Sequence, residues 1–252
     1  MLDLNLKGRV ALITGASRGL GKAMALALGR AGANLALAGR DMQRLEAVRE
    51  EVRGLGVEAE AYRTDVTDEQ QVTDLHHSVI ERFGPVHILI NNAGINVRKN
   101  VPEFTLEEWN SVIGANLTSA FLLCRAFVPH MKGLGYGRII NMTSIMSHVS
   151  LPGRAAYSAS KAGLLGFTRA LALELAPEGI SVIAISPGPF ATEMNLPLLN
   201  DPEKNAQFLA TIPLGRWGKV EDIGSLALFL CSEHAAFITG TDVLIDGGWC
   251  AR

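Results

Sequence analysis

Short apolar runs of strand length recur down this chain with helix-patterned stretches between them, and that alternation restricts the fold more than any other feature. The runs lie at 9–14, 34–38, 58–64, 86–90, 136–144, 180–186 and 243–245. Most are nearly uninterrupted in hydrophobicity, as strands covered on both faces are. The stretches between them (22–30, 42–52, 67–83, 105–131, 159–174 and 220–232) have helical length and patterning. Thr67 with Gln70, and Thr105 with Glu108, have the spacing of capping boxes and are expected to open two of these helices. Strand–helix alternation predicts one α/β domain: a doubly wound sheet of six to seven parallel strands, right-handed crossovers, and helices on both faces. No linker, low-complexity tract or internal repeat divides residues 1–252, so a single domain is expected.

The first run opens into Thr14, Gly15, Ala16, Ser17, Arg18, Gly19, Leu20 and Gly21. Glycines at 15, 19 and 21 permit a tight turn and let backbone amides approach a phosphate at a helix N-terminus. The spacing is Gly-x-x-x-Gly-x-Gly, not the Gly-x-Gly-x-x-Gly dinucleotide fingerprint. The second run ends in Gly39 and Arg40, where NAD would call for a carboxylate to accept its ribose hydroxyls. Gly39 removes that carboxylate, and Arg40 offers a guanidinium suited to a phosphate, with Arg18 as a second clamp. NADP(H) is therefore expected in preference to NAD(H); Asp41, which follows at once, either tempers that preference or caps the next helix. After the third run, Asp65 is expected to accept from the adenine amino group, with Val66 beside it. After the fourth, Asn91 and Asn92 can bond neighbouring strands while Ala93 and Gly94 admit a ligand to the backbone. Open α/β sheets bind at this carboxyl end.

Tyr157 and Lys161 stand four apart, one above the other on a helix. A lysine ammonium beside a phenol favours the phenolate; moving a tyrosine from about 10 to roughly 7 requires about 4 kcal/mol. A tyrosine tuned in this way is a general acid/base for neutral pH. By spacing alone the pair is more often an exposed i,i+4 contact. Ser144 arrives at the sheet's carboxyl end on the fifth run. Asn116 is either an ordinary polar helix residue or part of a polar relay in the site, since asparagine is unfavourable within a helix. Pro187, Gly188, Phe190 and Thr192 follow the sixth run as expected cofactor contacts. Residues 189–214 mix large apolar residues, Leu196 and Leu198 among them, with prolines, as a lid over a substrate would. Arg98, on the loop after Gly94, is either solvated or poised to bind a carboxylate. Met146, His148, Met194 and Asn195 are the remaining expected substrate contacts.

A net charge of −2 gives no sign of a nucleic-acid or membrane surface. No uncharged apolar run approaches the roughly 18 residues of a membrane helix. The start lacks a signal-peptide apolar block. Cys124, Cys231 and Cys250, odd in number and far apart, suggest neither a disulfide nor a metal framework, so no metal is expected. A cytoplasmic location follows as the expectation.

Taken together and in register, the 14–21 glycine turn, Asn91–Gly94, Asn116, Ser144, Tyr157 with Lys161, and Pro187–Gly188 resemble the short-chain dehydrogenase/reductase family along essentially the whole chain. The resemblance implies a Rossmann-type domain that interconverts ketones and secondary alcohols. Ser144 would polarise the carbonyl oxygen and Tyr157 would donate the proton. Lys161 would lower the tyrosine pKa and bond the nicotinamide ribose, and Asn116 would hold a water leading to solvent. A homotetramer is implied, packed through the helices that carry Asn116 and Tyr157. Segments 91–98, 192–194 and 212–218 look similar to gluconate 5-dehydrogenases and related polyol dehydrogenases. The alternative is a 3-oxoacyl-carrier-protein reductase; those enzymes present arginines to the acidic carrier at positions that align with Pro129 and Leu173 here. A non-catalytic NADP-binding regulator is the reading from a different class.

Overall fold

The computed structural model describes residues 4–195 and 199–251, Met194 by its backbone alone. Leu196 and Leu198 of the expected lid lie outside the described residues. The seven strands are β1 (Val10–Thr14), β2 (Asn34–Gly39), β3 (Ala59–Arg63), β4 (Ile88–Asn91), β5 (Gly137–Met142), β6 (Ile180–Pro187) and β7 (Asp242–Ile245). They form one sheet in the order β3-β2-β1-β4-β5-β6-β7, every neighbouring pair parallel. The principal helices are α1 (Gly19–Arg30), α2 (Met42–Arg53), α3 (Glu69–Phe83), α4 (Leu106–Ile113), α5 (Ser119–Met131), α6 (Ala155–Leu175), α7 (Pro202–Leu209) and α8 (Val220–Cys231).

Side chains alternate across each strand, and the core splits accordingly. Ala11 and Ile13 of β1 pack with Met24 and Leu28 of α1, Leu45 of α2 and Ile223 of α8. Val10 and Leu12 face the other way, toward Leu75 of α3, Phe127 of α5 and Leu171 of α6. A sheet buried on both sides explains why its strands read as apolar runs rather than alternating ones.

Three helix starts differ from expectation, α6 among them, which begins at Ala155 rather than at 159. α1 begins at Gly19, inside the glycine turn, rather than at 22. α3 is capped by Asp68 rather than Thr67: the Asp68 carboxylate accepts from the amides of Gln70 and Gln71 at 2.9 and 3.1 Å. A negative acceptor suits the positive end of a helix, and the Thr67 hydroxyl donates instead to Asp65 Oδ1 at 2.7 Å. The Thr105–Glu108 box forms as expected. From there α4 continues into α5 through a π-helical turn at Gly114–Thr118, which carries Asn116. Leu106–Met131 is long and apolar enough to cross a membrane, yet half of its most apolar window is buried. Leu123 and Phe127 within it belong to the core, so it is a core helix of the domain.

Candidate active site

β1 pairs with β2 on one side and β4 on the other, so the chain reverses direction there and leaves a crevice at the carboxyl ends. Asn92 ties the two banks together. Its Nδ2 donates to the carbonyls of Thr14 and Gly15 at 2.8 and 3.1 Å. The Thr14 hydroxyl in return accepts from the amides of Asn92 and Ala93, both at 3.1 Å. Gly15 adopts φ +65°, and a Cβ on Gly21 would lie 2.3 Å from the Gly15 carbonyl oxygen, so neither position tolerates a side chain. At the start of α1 the Arg18 side chain does not cap the helix amides and the first turn holds no acidic residue. Those amides are left to an anion.

A cleft of about 910 Å³ runs from this turn to α6, within the size range of small-molecule sites. Gly15, Ser17, Arg18, Gly19, Leu20 and Gly21 line one end; Asn92, Ala93 and Gly94 line the middle. Val66 and Asp65 form a side wall, and Pro187, Gly188, Phe190 and Thr192 close the far bank. Free helix amides, a side-chain-free turn and an elongated cleft fit a dinucleotide.

The adenosine end carries one more arginine than expected. Arg40 reaches toward Asp65, 3.9 Å away, with its side chain 73% exposed. Asp65 is itself engaged, accepting from the Thr67 amide and hydroxyl at 3.0 and 2.7 Å. Desolvation raises the Asp65 pKa, but these two hydrogen bonds and the Arg40 charge outweigh it, and the carboxyl is held below its ordinary value. Arg40 lines the cleft as expected, and a further arginine, Arg44 in the first turn of α2, meets Arg18 at the Glu193 carboxylate and was not expected. A detectable signal was there: helical side chains lean toward the helix N-terminus, so an arginine three residues after the Asp41 cap returns to the loop that bears Arg40. Asp41 caps α2 as expected, accepting from the Arg44 amide at 3.1 Å.

Ser144, Tyr157 and Lys161 meet at the other end of the cleft. α6 is seated there by a buried polar chain. Asn91 Nδ2 donates to Asn141 Oδ1 at 2.8 Å, and Asn141 Nδ2 donates to Thr168 Oγ1 at 2.9 Å. Burial raises the Tyr157 pKa above its ordinary value, against the Ser144 hydroxyl and the Arg154 charge, which lower it. Burial likewise pushes Lys161 down to about 8. The opposing groups at the tyrosine are Ser144 and Arg154 rather than Lys161, whose hydrogen bond goes to the Met142 carbonyl at 2.6 Å. Asn116 lies behind the cleft wall, 2% exposed. Its Oδ1 accepts from the Ile95 amide at 2.8 Å, and its Nδ2 donates to Ile95 O and Ser160 Oγ at 2.9 and 3.0 Å. Both amide hydrogens are taken, so the side chain pins the Ile95 loop. The π turn sets this asparagine at that loop, as such turns often do at functional sites.

Arg98, Met146 and Asn195 line the cleft. His148 does not: its Nε2 pairs with the Asp242 carboxylate on β7, itself bonded by Ser186 at 2.7 Å. The Met194 side chain lies outside the described residues. Arg154, at the start of α6, also lines the cleft and was missed; it lies close enough to Arg98 for the two charges to interact, and desolvation lowers its pKa. Among the described residues no group of three or more His, Cys, Asp or Glu could hold a metal ion.

Residues 15–250 match the family model described as enoyl-(acyl carrier protein) reductase. The chain belongs to the short-chain dehydrogenase/reductase family. It is 36% identical over 244 residues to gluconate 5-dehydrogenase of Gluconobacter oxydans, covering 97% of this chain and 95% of that one. To a 3-oxoacyl-[acyl-carrier-protein] reductase of Aquifex aeolicus it is 36% identical over 248 residues, covering 98% and 99%. A solved structure of a candidate NAD(P)-dependent gluconate 5-dehydrogenase from Beutenbergia cavernae, with NADP bound at low occupancy, superposes with a TM-score of 0.94. That structure is 37% identical, and each chain is covered in full. As a short-chain dehydrogenase/reductase the protein is an oxidoreductase acting on CH–OH groups.

Proposed function

We propose that this dehydrogenase/reductase interconverts the ketone and secondary alcohol of a sugar acid, using NADP(H) in preference to NAD(H). The observation that carries the acid is the pair Arg98 and Arg154. Both line the cleft beside Tyr157, and neither has an ion pair among the described residues. Lys99, next to Arg98, is paired with Glu108. Two unpaired guanidinium groups at one site favour a carboxylate, which each can grip through two parallel bonds. The names of two relatives, both gluconate 5-dehydrogenases, support the same substrate class.

A bound nicotinamide would supply or accept the hydride at the carbonyl carbon. The Tyr157 phenol gives its proton to the carbonyl oxygen in reduction and takes it back in oxidation, and the Ser144 hydroxyl donates a hydrogen bond to the same oxygen. Lys161 stabilises the phenolate and bonds the nicotinamide ribose, while Asn116 holds the Ile95 loop in place. The segment at 189–214 serves as the substrate lid. Exposed Leu106, Phe121 and Leu173 on α4, α5 and α6 support a homotetramer packed through these helices.

The second reading, reduction of a 3-oxoacyl thioester on a carrier protein, is favoured by the equally similar Aquifex relative. Against it stand Pro129 inside α5 and Leu173, 80% exposed, where carrier-binding arginines are expected. A screen of keto-sugar acids, neutral ketoses and 3-oxoacyl thioesters, followed at the nicotinamide absorbance, tests the proposal. Keto-sugar acids are expected to give the highest kcat/KM; preference for thioesters would reverse the assignment.

A further inference from the structure

Arg18 and Arg44 are both held by one carboxylate. Arg44 Nη1 donates to Glu193 Oε1 and Oε2 at 3.1 and 2.9 Å, and Arg18 Nη1 donates to Oε2 of the same residue. The three come from separate parts of the chain: the glycine turn after β1, the first turn of α2, and the 3-10 turn Glu193–Asn195 after β6. All three line the same cleft at its adenosine end. Asp41 adds a second negative group, its Oδ2 lying 3.3 Å from Arg44 Nε.

A carboxylate shared by two guanidinium groups reproduces the charge and bonding with which arginines hold a phosphate. We propose that Glu193 is a built-in stand-in for the cofactor's 2′-phosphate and thereby determines cofactor specificity. NADP(H) takes Arg18 and Arg44 only by displacing Glu193. NAD(H), with no phosphate there, leaves the Glu193 contacts in place. Glu193 therefore narrows the preference that the arginines alone would give. It also links the cofactor's far end to the substrate end, because its turn includes Asn195, whose Nδ2 bonds the Phe190 carbonyl at 3.0 Å. The hydrogen bonds from Arg44 and Arg18 hold the Glu193 carboxyl below its ordinary pKa, so it remains an anionic competitor throughout the neutral range.

The inference rests on the NADP(H) reading given above, and one set of titrations separates the two. Binding of NADPH, NADH and 2′,5′-ADP is measured calorimetrically for the parent, Glu193→Gln and Arg44→Ala. Loss of the competing charge is expected to tighten NADPH and 2′,5′-ADP by about three- to tenfold at low salt, and to change NADH by less than about twofold. The gain should shrink as added salt screens the exposed charges. If Arg44→Ala weakens NADPH while Glu193→Gln leaves it unchanged, Glu193 is no stand-in although the phosphate seat is real. If the parent binds NADPH no tighter than NADH and Arg44→Ala alters neither, the NADP(H) reading itself fails. Equal changes for NADPH and NADH in Glu193→Gln would assign Glu193 to the shape of its segment and overturn the proposal.

Discussion

The ammonium of Lys161 lies 5.7 Å from the centre of the Tyr157 ring but gives its hydrogen bond to the Met142 carbonyl at 2.6 Å. Helical spacing brings the two residues to one face; the buried end of β5 determines what the lysine binds. The site thus holds a lysine that discharges easily beside a tyrosine that keeps its proton.

That arrangement has a thermodynamic signature. Lys161 titrates near 8 in the folded chain against an ordinary value of 10.5. Between those values the unfolded chain binds more protons, so this residue's contribution to stability rises with pH. Cys124 and Cys231, pushed up to about 12 by burial, act in the opposite direction once an unfolded thiol would ionise, and Tyr157 does the same above pH 10. These effects cancel in the difference between the parent and Lys161→Met. From pH 8 to 10.5 the parent should gain on the variant by up to roughly 3 kcal/mol, at about 1.36 kcal/mol per unit. Urea unfolding across this window measures it, and a difference that does not vary with pH would mean that water reaches the lysine.

Tyr157→Phe keeps the ring and removes the proton. Turnover should fall by about 10²–10⁴-fold, the usual effect of losing a general acid/base, while NADPH still binds. Single-turnover rates with saturating cofactor provide the check. A variant retaining near-parental turnover would remove Tyr157 from the chemistry.

The arginines of the adenosine end differ in what they can offer. Arg40 is exposed, with only a 3.9 Å contact to Asp65, whereas Arg44 already grips an anion with both oxygens engaged. Arg44→Ala should weaken NADPH by about tenfold or more, and Arg40→Ala by no more than about threefold. Fluorescence titration with NADPH ranks them; the reverse order would return the phosphate to Arg40.

Most of the sheet was legible because burial on both faces leaves its mark on each strand independently. The helix starts were legible only within a few residues: at 67–68 two capping side chains stand side by side, and the choice of Asp68 depends on Thr67 being recruited by Asp65. Side-chain partners far apart in sequence were not legible. His148 was expected at the substrate, yet it pairs with Asp242, 94 residues away, because the chain returns to β7 beside β6. Arg44 and Arg154 went unnoticed for a related reason: each gains its meaning from a residue on another segment, Glu193 and Arg98 respectively.

The seat of α6 gives a stability prediction. Thr168 is fully buried, accepting from Asn141 Nδ2 at 2.9 Å and donating to the Leu164 carbonyl at 2.8 Å. Thr168→Val preserves shape and strands the Asn141 donor in the core. The expected cost is about 1–3 kcal/mol, the usual price of an unsatisfied buried polar group. Urea unfolding at neutral pH reads it directly. A change under about 0.5 kcal/mol would mean that Asn141 finds another acceptor. Because Asn141 also accepts from Asn91, the double variant Thr168→Val with Asn141→Leu should not be additive.

Arg98 and Arg154 give the prediction that bears most directly on the substrate. Arg98 is exposed at the cleft and Arg154 is half-buried beside it. Bringing two like charges together without a counter-ion is unfavourable, and a substrate carboxylate placed between them would relieve it. Each single alanine variant should then raise KM for a keto-sugar acid by about tenfold while leaving kcat within about threefold, because the carboxylate is held equally in ground and transition states. A neutral ketose of the same length loses no charge partner, so its KM should change by less than about twofold. The double variant should cost less than the product of the two single effects, since either arginine alone is relieved of its neighbour when the other is removed. Steady-state kinetics on the acid and the neutral sugar, for all four proteins, resolve these outcomes. Equal losses on both substrates would assign the arginines to the shape of the loop, and no loss on either would place the carboxylate elsewhere in the cleft.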